Sequence, residues 1–194
     1  MTLGDIVARR RKCAITTRGE ILHAARQRFL NESYENVGLR DIARDVGVDV
    51  ALVGRYFGGK EALFREVLRG EDEETFSVDV PAAELPAFLV SLISESEACA
   101  NAAHVEKLLI VLRSASSPTA AGIVRDAVRG DVLEPIARTL SGPDAAQRAS
   151  LVLTILLGTK VVRTIMAMEP LPISDDPAIR ARLVRLFEAA IAPL

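Results

Sequence analysis

Residues 38–57 read Gly-Leu-Arg-Asp-Ile-Ala-Arg-Asp-Val-Gly-Val-Asp-Val-Ala-Leu-Val-Gly-Arg-Tyr-Phe and carry the strongest structural pattern in this chain. Two short helical segments lie on either side of Gly47. Glycine tolerates the positive φ angle that a sharp turn requires, and Asp49 is a good N-cap for the second segment. The spacing therefore predicts a helix-turn-helix unit, whose second helix enters the major groove of DNA.

An ordinary αα-hairpin in a helical bundle has the same local pattern. The charge around the unit favours the helix-turn-helix over the hairpin. Basic residues lie on the first helix of the unit, at the start of the helix that follows it, and in a cluster at residues 9–12. These are places from which a protein can hold DNA phosphates. The predicted DNA-binding residues are Arg40, Arg44, Val50, Ala51, Leu52, Arg55, Tyr56 and Lys60.

The composition limits the class of protein. Hydrophobic residues make up 49% of the 194 residues and charged residues 26%, which excludes overall disorder. Aromatic residues reach only 4%, which disfavours a β-sandwich or barrel. Residues 1–69 hold 13 Lys and Arg against 9 Asp and Glu, whereas residues 70–194 hold 11 against 17. This asymmetry favours a polyanionic partner at the N-terminal end.

Apolar residues recur with helical spacing along the chain, and no segment has a convincing strand pattern. We predict an all-α protein of about nine helices in four parts. Residues 1–15 form a basic, mobile N-terminal arm that can contain a short helix, and residues 16–60 form the helix-turn-helix DNA-binding domain, with Thr16 or Thr17 as the first cap. Residues 61–80 form a linker helix and boundary, and residues 81–194 form a larger effector-binding and dimerisation domain. Pro135 predicts a kink near residues 130–134.

A wider pattern of spaced residues surrounds the helix-turn-helix unit. It comprises Thr17 to Ala25, Phe29, Leu39 to Ala43, Gly47 to Asp49, Tyr56-Phe57 and Lys60 to Phe64. These residues resemble the TetR family of transcriptional regulators. The resemblance implies a two-domain, all-helical homodimer in which helices 1–3 bind a double-stranded palindromic operator. It also implies that helix 4 is a link and that helices 5–9 hold a small-molecule effector pocket and the dimer interface.

Two glycines depart from the family pattern. Gly38 stands where the family usually has a Ser or Thr that caps helix 2 and touches a phosphate, so only the backbone can make that contact. Gly54 stands where the family commonly has a Tyr in the recognition helix, and a glycine there weakens the helix by about 1 kcal/mol. Tyr56, where the family has Tyr or His, is the residue that can compensate.

The segment at residues 147–158, with Arg163 and residues 169–171 after it, looks like the penultimate helix of a TetR subgroup. It is apolar on too many sides to face one core, so we expect part of it to meet another surface. Pairing with the last helix across a two-fold axis would form a four-helix interface, and complete burial in one monomer is the alternative. The predicted interface residues are Leu153, Leu156, Leu157, Val161, Leu183 and Phe187.

Apolar residues on the middle helices fall where the family builds its pocket, although each of them can equally be plain core. The predicted effector-binding residues are Phe88, Leu92, Cys99, Leu108, Leu112, Val124 and Val128. Because this set is mainly apolar, we expect a small, lipophilic effector.

The chain carries no pattern for catalysis. Its two Cys and two His belong to no metal-ligand or disulfide pattern, and no Gly-rich phosphate loop or nucleophile elbow occurs. We therefore predict no enzyme activity, no cofactor and no metal. The apolar run at residues 149–157 is short for a bilayer and residues 9–18 do not resemble a signal peptide, so we expect a cytoplasmic protein without a membrane partner.

Two functions from different classes follow. The first is a dimeric repressor that an effector releases from a palindromic operator. The second is a helical interaction or scaffold protein with a degenerate DNA-binding head, which the glycines at 38 and 54 keep open. An activator or a ligand-independent regulator is a third interpretation.

Overall fold

The computed structural model describes residues 3–70, 78–94, 99–168 and 176–193. These residues form nine helices and no strand, which confirms the all-α prediction. Helices α1 to α6 span Leu3–Asn31, Leu39–Val46, Val50–Phe57, Lys60–Arg69, Leu85–Ser94 and Cys99–Ser114. Helix α7 joins Ala121–Val128, a π-helical turn at Arg129–Leu133 and Glu134–Thr139. Helix α8 joins Ala145–Lys160 to a π-helical turn at Val161–Ile165, and α9 spans Pro177–Ile191.

The first helix begins earlier than the sequence predicts. Residues 1–15 were expected to form an arm before a cap at Thr16 or Thr17, but α1 is continuous from Leu3. The physical reason is that residues 5–18 contain neither Gly nor Pro and include four Arg, one Lys and two Ala, which favour helix. The lack of an apolar period in this segment does not interrupt the helix.

The chain divides into two compact units. The first comprises Met1–Glu73 with Lys107–Ala127, and the second comprises Glu74–Glu106 with Val128–Leu194. The centre of the first unit is an aromatic cluster, in which the ring centroid of Phe64 lies 4.7 Å from that of Phe29 and 5.0 Å from that of Tyr34. Such pairs add about 0.5–1.5 kcal/mol beyond the area that they bury. This cluster packs α1 against α4, and α2 and α3 lie between these two helices in the sequence.

The second unit has a separate apolar core. Its buried residues come from α5, the end of α7, α8 and α9, and they are Leu85, Leu89, Val90, Ile93, Ile136, Leu140, Ala149, Val152, Leu156, Phe187 and Ala190. The π-helical turn at Arg129–Leu133 lies where Pro135 predicted a kink. Pro135 lacks a backbone donor, and the wider turn before it relieves the clash of its ring with the preceding carbonyls.

A buried arginine links the ends of this second unit. The Nη1 of Arg148 donates to the carbonyl of Ile191 at 2.7 Å, and its Nη2 pairs with Asp144 at 3.0 Å. Nη2 also donates to the carbonyl of Ser141. Arg148 therefore ties the last turn of α9 to the connection between α7 and α8. Sequence patterns missed this role, because they assign arginine to the surface.

Candidate nucleic-acid interface

The turn between α2 and α3 has the geometry that its sequence predicts. Gly47 ends α2 with a φ angle of 73°, in the left-handed region that favours glycine. The backbone N–H of Val48 donates to the carbonyl of Ala43 at 2.9 Å and closes the turn. Asp49 then caps α3, because its carboxylate accepts the N–H of Ala51 at 2.7 Å. The predicted helix-turn-helix geometry and its two capping residues are confirmed.

The inner face of this unit is filled by its own chain. Ile42 and Ala43 from α2 and Val53 and Phe57 from α3 are buried. Since α3 is only two turns long, burying these residues leaves its other side outside the core. That outer side is the candidate interface.

The outer side of α3 presents small apolar groups and one arginine. Val50, Ala51 and Arg55 are exposed, whereas Leu52 and Tyr56 are half-buried. Arg55 makes no hydrogen bond or ion pair with any of the described residues. Its guanidinium therefore keeps all five donors for an external acceptor. The structure brings the predicted base-reading residues to one surface, and their contact with DNA stays a prediction.

The two arginines of α2 differ in their surroundings. Arg40 is exposed and makes no ion pair within the described part of the chain. Arg44 is also exposed but pairs with Asp41 one turn before it. The Asp41 carboxylate lies beside the N-cap, where a Cβ on Gly38 would come within 2.7 Å of its Oδ2. An acidic group thus lies at the N-terminal end of α2, where the resemblance implies a phosphate contact, and Arg44 balances its charge.

The Lys60 side chain does not extend into solvent but contacts other residues of the DNA-binding head, which comprises α1 to α4. Its Nζ lies 4.3 Å from the ring centroid of Tyr34 and donates to the carbonyl of Glu35 at 3.4 Å. Burial lowers the pKa of Lys60, and the charge of Glu35 opposes that change. An ammonium has three donors, so this arrangement leaves donors for a phosphate. The aromatic support at Tyr34 was not predicted from the sequence.

Two further arginines that sequence analysis did not assign fix the head internally. Arg18 of α1 pairs with Glu66 of α4, and its guanidinium carbon lies 4.8 Å from the ring centroid of Phe57. Arg28 binds Asp45 of α2 through two nitrogens. No local pattern points to either pair, because their partners are distant in the sequence. Two of the 13 basic residues in residues 1–69 are therefore paired with acidic residues of the same segment.

The predicted effector-binding residues lie in both compact units. Phe88 and Leu92 are half-buried against the core of the second unit. Val128 also lies in the second unit. In the first unit, Leu108 and Val124 are buried and Leu112 is 43% exposed. The Cys99 side chain lies outside the part of the structure that is described. The effector assignment stays a prediction.

The predicted interface residues need a correction. Phe187 is 0% exposed and Leu156 is 7% exposed within a single chain, so both side chains belong to the monomer core. Leu153, Leu157, Val161 and Leu183 are half-buried. On the helices themselves, the exposed large apolar side chains are Leu151 of α8, at 55%, and Leu186 of α9, at 52%. Periodicity found the apolar helices but did not tell the inward stripe from the outward one, because both are apolar.

Helix α8 is long and apolar enough to span a membrane when length and composition alone are considered. It continues through Gly158 to Lys160 as far as Ile165, beyond the short apolar run that the sequence indicated. One such helix is weak grounds for a membrane protein, since core helices of soluble proteins meet the same criterion. Within the described residues, no group of His, Cys, Asp and Glu is arranged to hold a metal ion.

Comparison with known proteins identifies the class. Residues 21–67 match the profile described as bacterial regulatory proteins of the tetR family, and residues 83–191 match a tetracyclin repressor-like C-terminal domain. The C-terminal match alone covers more than half of the 194 residues. This chain belongs to the TetR family of bacterial transcriptional regulators. It is a DNA-binding regulator and not an enzyme.

Solved structures share the fold at low sequence identity. NalD of Pseudomonas aeruginosa, the secondary repressor of the MexAB-OprM multidrug efflux pump, superposes with a TM-score of 0.66 at 17% identity, over 92% of this chain and 98% of NalD. A linker-substituted mutant of HlyIIR gives a TM-score of 0.56 at 16% identity, over 89% and 96% of the two chains. A TetR-family regulator from Streptomyces coelicolor is 28% identical, with a TM-score of 0.48 over 90% and 94%. The search of curated proteins returns no match.

Proposed function

We propose that this protein is a homodimeric repressor that binds a palindromic operator and leaves it when a small, lipophilic effector binds. The observation that carries the proposal is the outer side of α3, where Arg55 pairs with none of the described residues and lies among small apolar groups. An arginine can form two hydrogen bonds to guanine, and Val50, Ala51 and Leu52 can contact thymine methyl groups.

The residues that we propose as phosphate contacts lie around the outer side of α3. Arg40 is exposed on α2, and Arg44 can exchange part of its pairing with Asp41 for a phosphate. Lys60 adds a cation at the start of α4, and residues 9–12 add a basic cluster on α1. Each phosphate that the protein neutralises makes the slope of log K against log salt steeper by about 0.9. Specific binding by this head should therefore weaken strongly as salt increases.

The exposed apolar groups of α8 and α9 support the homodimer. Leu151 and Leu186 are more than half exposed, and Leu157 and Val161 add half-buried apolar area. Of the three charged residues of α8, Arg148 and Arg163 are buried, which keeps charge away from the outer side. A second copy is the occupant that suits a palindrome, because a two-fold dimer presents two heads to half-sites about 34 Å apart, or a multiple of that distance.

Repression and release rest on more general grounds. The NalD likeness shows a shared fold, and its description as a repressor favours repression over activation for this chain. The effector-binding residues predicted from the sequence are mainly apolar, which favours a lipophilic ligand. Release then follows if that ligand has higher affinity for a dimer whose heads no longer match the two half-sites. A regulator of this kind acts in the cytoplasm, where the operator is.

The test is selection of DNA from a random double-stranded pool, followed by gel shifts of the enriched fragment at two salt concentrations. The proposal predicts an enriched inverted repeat, bound much more tightly than a scrambled duplex of the same length. A scaffold protein with a degenerate head would enrich no sequence. An effector is then sought among small lipophilic compounds by loss of the shifted band.

A further inference from the structure

Inside the first compact unit, two hydrogen bonds join the α6–α7 region to the end of α1 and to the connection between α1 and α2. The Nη1 of Arg113 donates to the carbonyl of Asn31 at 3.2 Å, and the hydroxyl of Ser117 donates to the carboxylate of Glu35. Asn31 is the last residue of α1, and Glu35 lies three residues before Gly38, the N-cap of α2. A segment more than 80 residues along the chain from α1 thus supports the connection that leads into the helix-turn-helix unit.

Ser117 cannot move independently of α7. Its side chain is buried, and its oxygen accepts the backbone N–H of Ala120 at 2.8 Å while its carbonyl accepts that of Ala121 at 3.0 Å. A hydroxyl has one donor, and Ser117 directs it at Glu35. The orientation of the first turn of α7 therefore determines whether the Glu35 carboxylate is held.

Glu35 also contacts Lys60, through its backbone carbonyl. The Lys60 ammonium donates to the backbone carbonyl of Glu35, so the Glu35 side chain starts within reach of that cation. The Ser117 hydrogen bond and the nearby Lys60 charge lower the pKa of Glu35, so its carboxylate is charged at neutral pH. Among the described residues, no ion pair joins Glu35 to Lys60. The Glu35 carboxylate is instead bound to Ser117.

We propose that Ser117 is a positioning residue for DNA binding: it holds the Glu35 carboxylate away from Lys60 and so leaves Lys60 available to a DNA phosphate. When the Ser117 bond opens, the Glu35 carboxylate is free to pair with Lys60 and competes directly with phosphate for the same cation. Movement of the first turn of α7 then changes the affinity of the head for DNA. The inference rests on the phosphate contact that the proposed function gives to Lys60.

The experiment measures the salt dependence of binding of the full-length protein to the operator fragment recovered by selection. Lys60→Ala should reduce the slope of log K against log salt by about 0.9. Ser117→Ala should reduce it in the same direction, because the freed Glu35 neutralises Lys60. The double variant Ser117→Ala with Glu35→Gln should recover the wild-type slope, since a neutral amide does not pair with the ammonium. Ser116→Ala, at the exposed neighbouring serine, should leave the slope unchanged.

The recovery separates a positioning role from a purely structural one, because Glu35→Gln does not restore the cap that Ser117→Ala removes from α7. A Ser117→Ala slope equal to wild type, or a loss that persists in the double variant, overturns the inference. If Ser117→Ala does not fold, Ser117→Asp keeps a capping oxygen while repelling Glu35. A folded Ser117→Asp protein with an unchanged slope overturns the inference equally.

The failure of the proposed function gives a different pattern. If selection enriches no sequence, the operator proposal is wrong. If Lys60→Ala leaves the slope unchanged, its phosphate role and the inference fall together. A reduced slope for Lys60→Ala beside an unchanged slope for Ser117→Ala contradicts the inference alone.

Discussion

Arg28 binds both carboxylate oxygens of Asp45, with Nε at 2.6 Å from Oδ2 and Nη2 at 2.8 Å from Oδ1. Two parallel, charge-assisted bonds of this kind fix orientation as well as distance. They connect the last turn of α1 to α2, and Arg28 also pairs with Glu32 at 2.9 Å. The hydrogen bonds from Arg28 lower the pKa of Asp45, and the Asp45 carboxylate raises the pKa of Arg28.

The Arg28–Asp45 pair should make the stability of the head depend on pH. Because the pKa of Asp45 is lowered by folding, its contribution is fully present above the unfolded value of about 3.9 and is lost as the pH falls through the folded pKa. Asp45→Asn should therefore lower Tm at pH 7 by about 2 °C, and the difference from wild type should shrink towards pH 3. Circular dichroism melts from pH 7 to pH 2.5 measure this.

The matched control is Asp126→Asn, which changes an exposed carboxylate of α7 that makes no ion pair with the described residues. It should alter Tm little at any pH in this range. A Tm difference for Asp45→Asn that is the same at pH 3 and pH 7 would contradict the ionic origin of the effect.

Two glycines of the helix-turn-helix unit should respond to alanine in opposite directions. Gly47→Ala forces a side chain into a φ of 73° and should cost about 1–2 kcal/mol. Gly54 lies inside α3, and a Cβ there would meet nothing within 4 Å, so Gly54→Ala should stabilise by up to about 1 kcal/mol. Thermal melts of the two variants beside wild type test this pair. A lower Tm for Gly54→Ala would show that its backbone freedom is needed.

Arg55 should carry base discrimination. Loss of one bidentate contact to guanine typically costs about 1–3 kcal/mol, so Arg55→Ala should relax preference at one base pair in each half-site by that amount. A panel of single-base operator variants measures the preference. If the ranking of the panel is unchanged and all sequences weaken together, Arg55 contacts a phosphate instead. Arg125→Ala, at an exposed arginine of α7, is the control and should change neither affinity nor ranking.

A substitution at Leu151 should disrupt the dimer directly, whereas a substitution at Phe187 should affect the dimer only by destabilising the fold. Leu151→Glu places a charge on the exposed apolar side of α8 and should give a folded monomer in light scattering. Phe187→Ala opens a cavity in the core of the second unit and should cost about 3–5 kcal/mol of stability, with association lost only as the fold is lost. A wild-type monomer, or a Leu151→Glu dimer, would argue against this interface.

Helix positions, turn chemistry and the helix-turn-helix unit were predictable from the sequence because they depend on neighbouring residues. Gly47 and Asp49 act within a few residues of their own position, and the burial of Val53 and Phe57 follows from their spacing on one helix. Apolar periodicity does not predict the start of α1, because the first turns of this helix carry no apolar stripe. A helix without an apolar stripe still forms when nothing breaks it, and residues 5–18 contain no breaker.

The sequence by itself determined the family, the all-helical class and the surface that α3 presents, since these rest on local propensity and on spaced identities. Only the tertiary structure decided which apolar side of α8 and α9 faces inward, with Phe187 in the core and Leu186 outside. It also decided that Lys60 lies on Tyr34 and that Ser117 binds Glu35. The physical reason is that hydrophobic periodicity states how much surface a helix must bury but not against which partner. Contacts across 25 or 82 residues depend on how the whole chain packs.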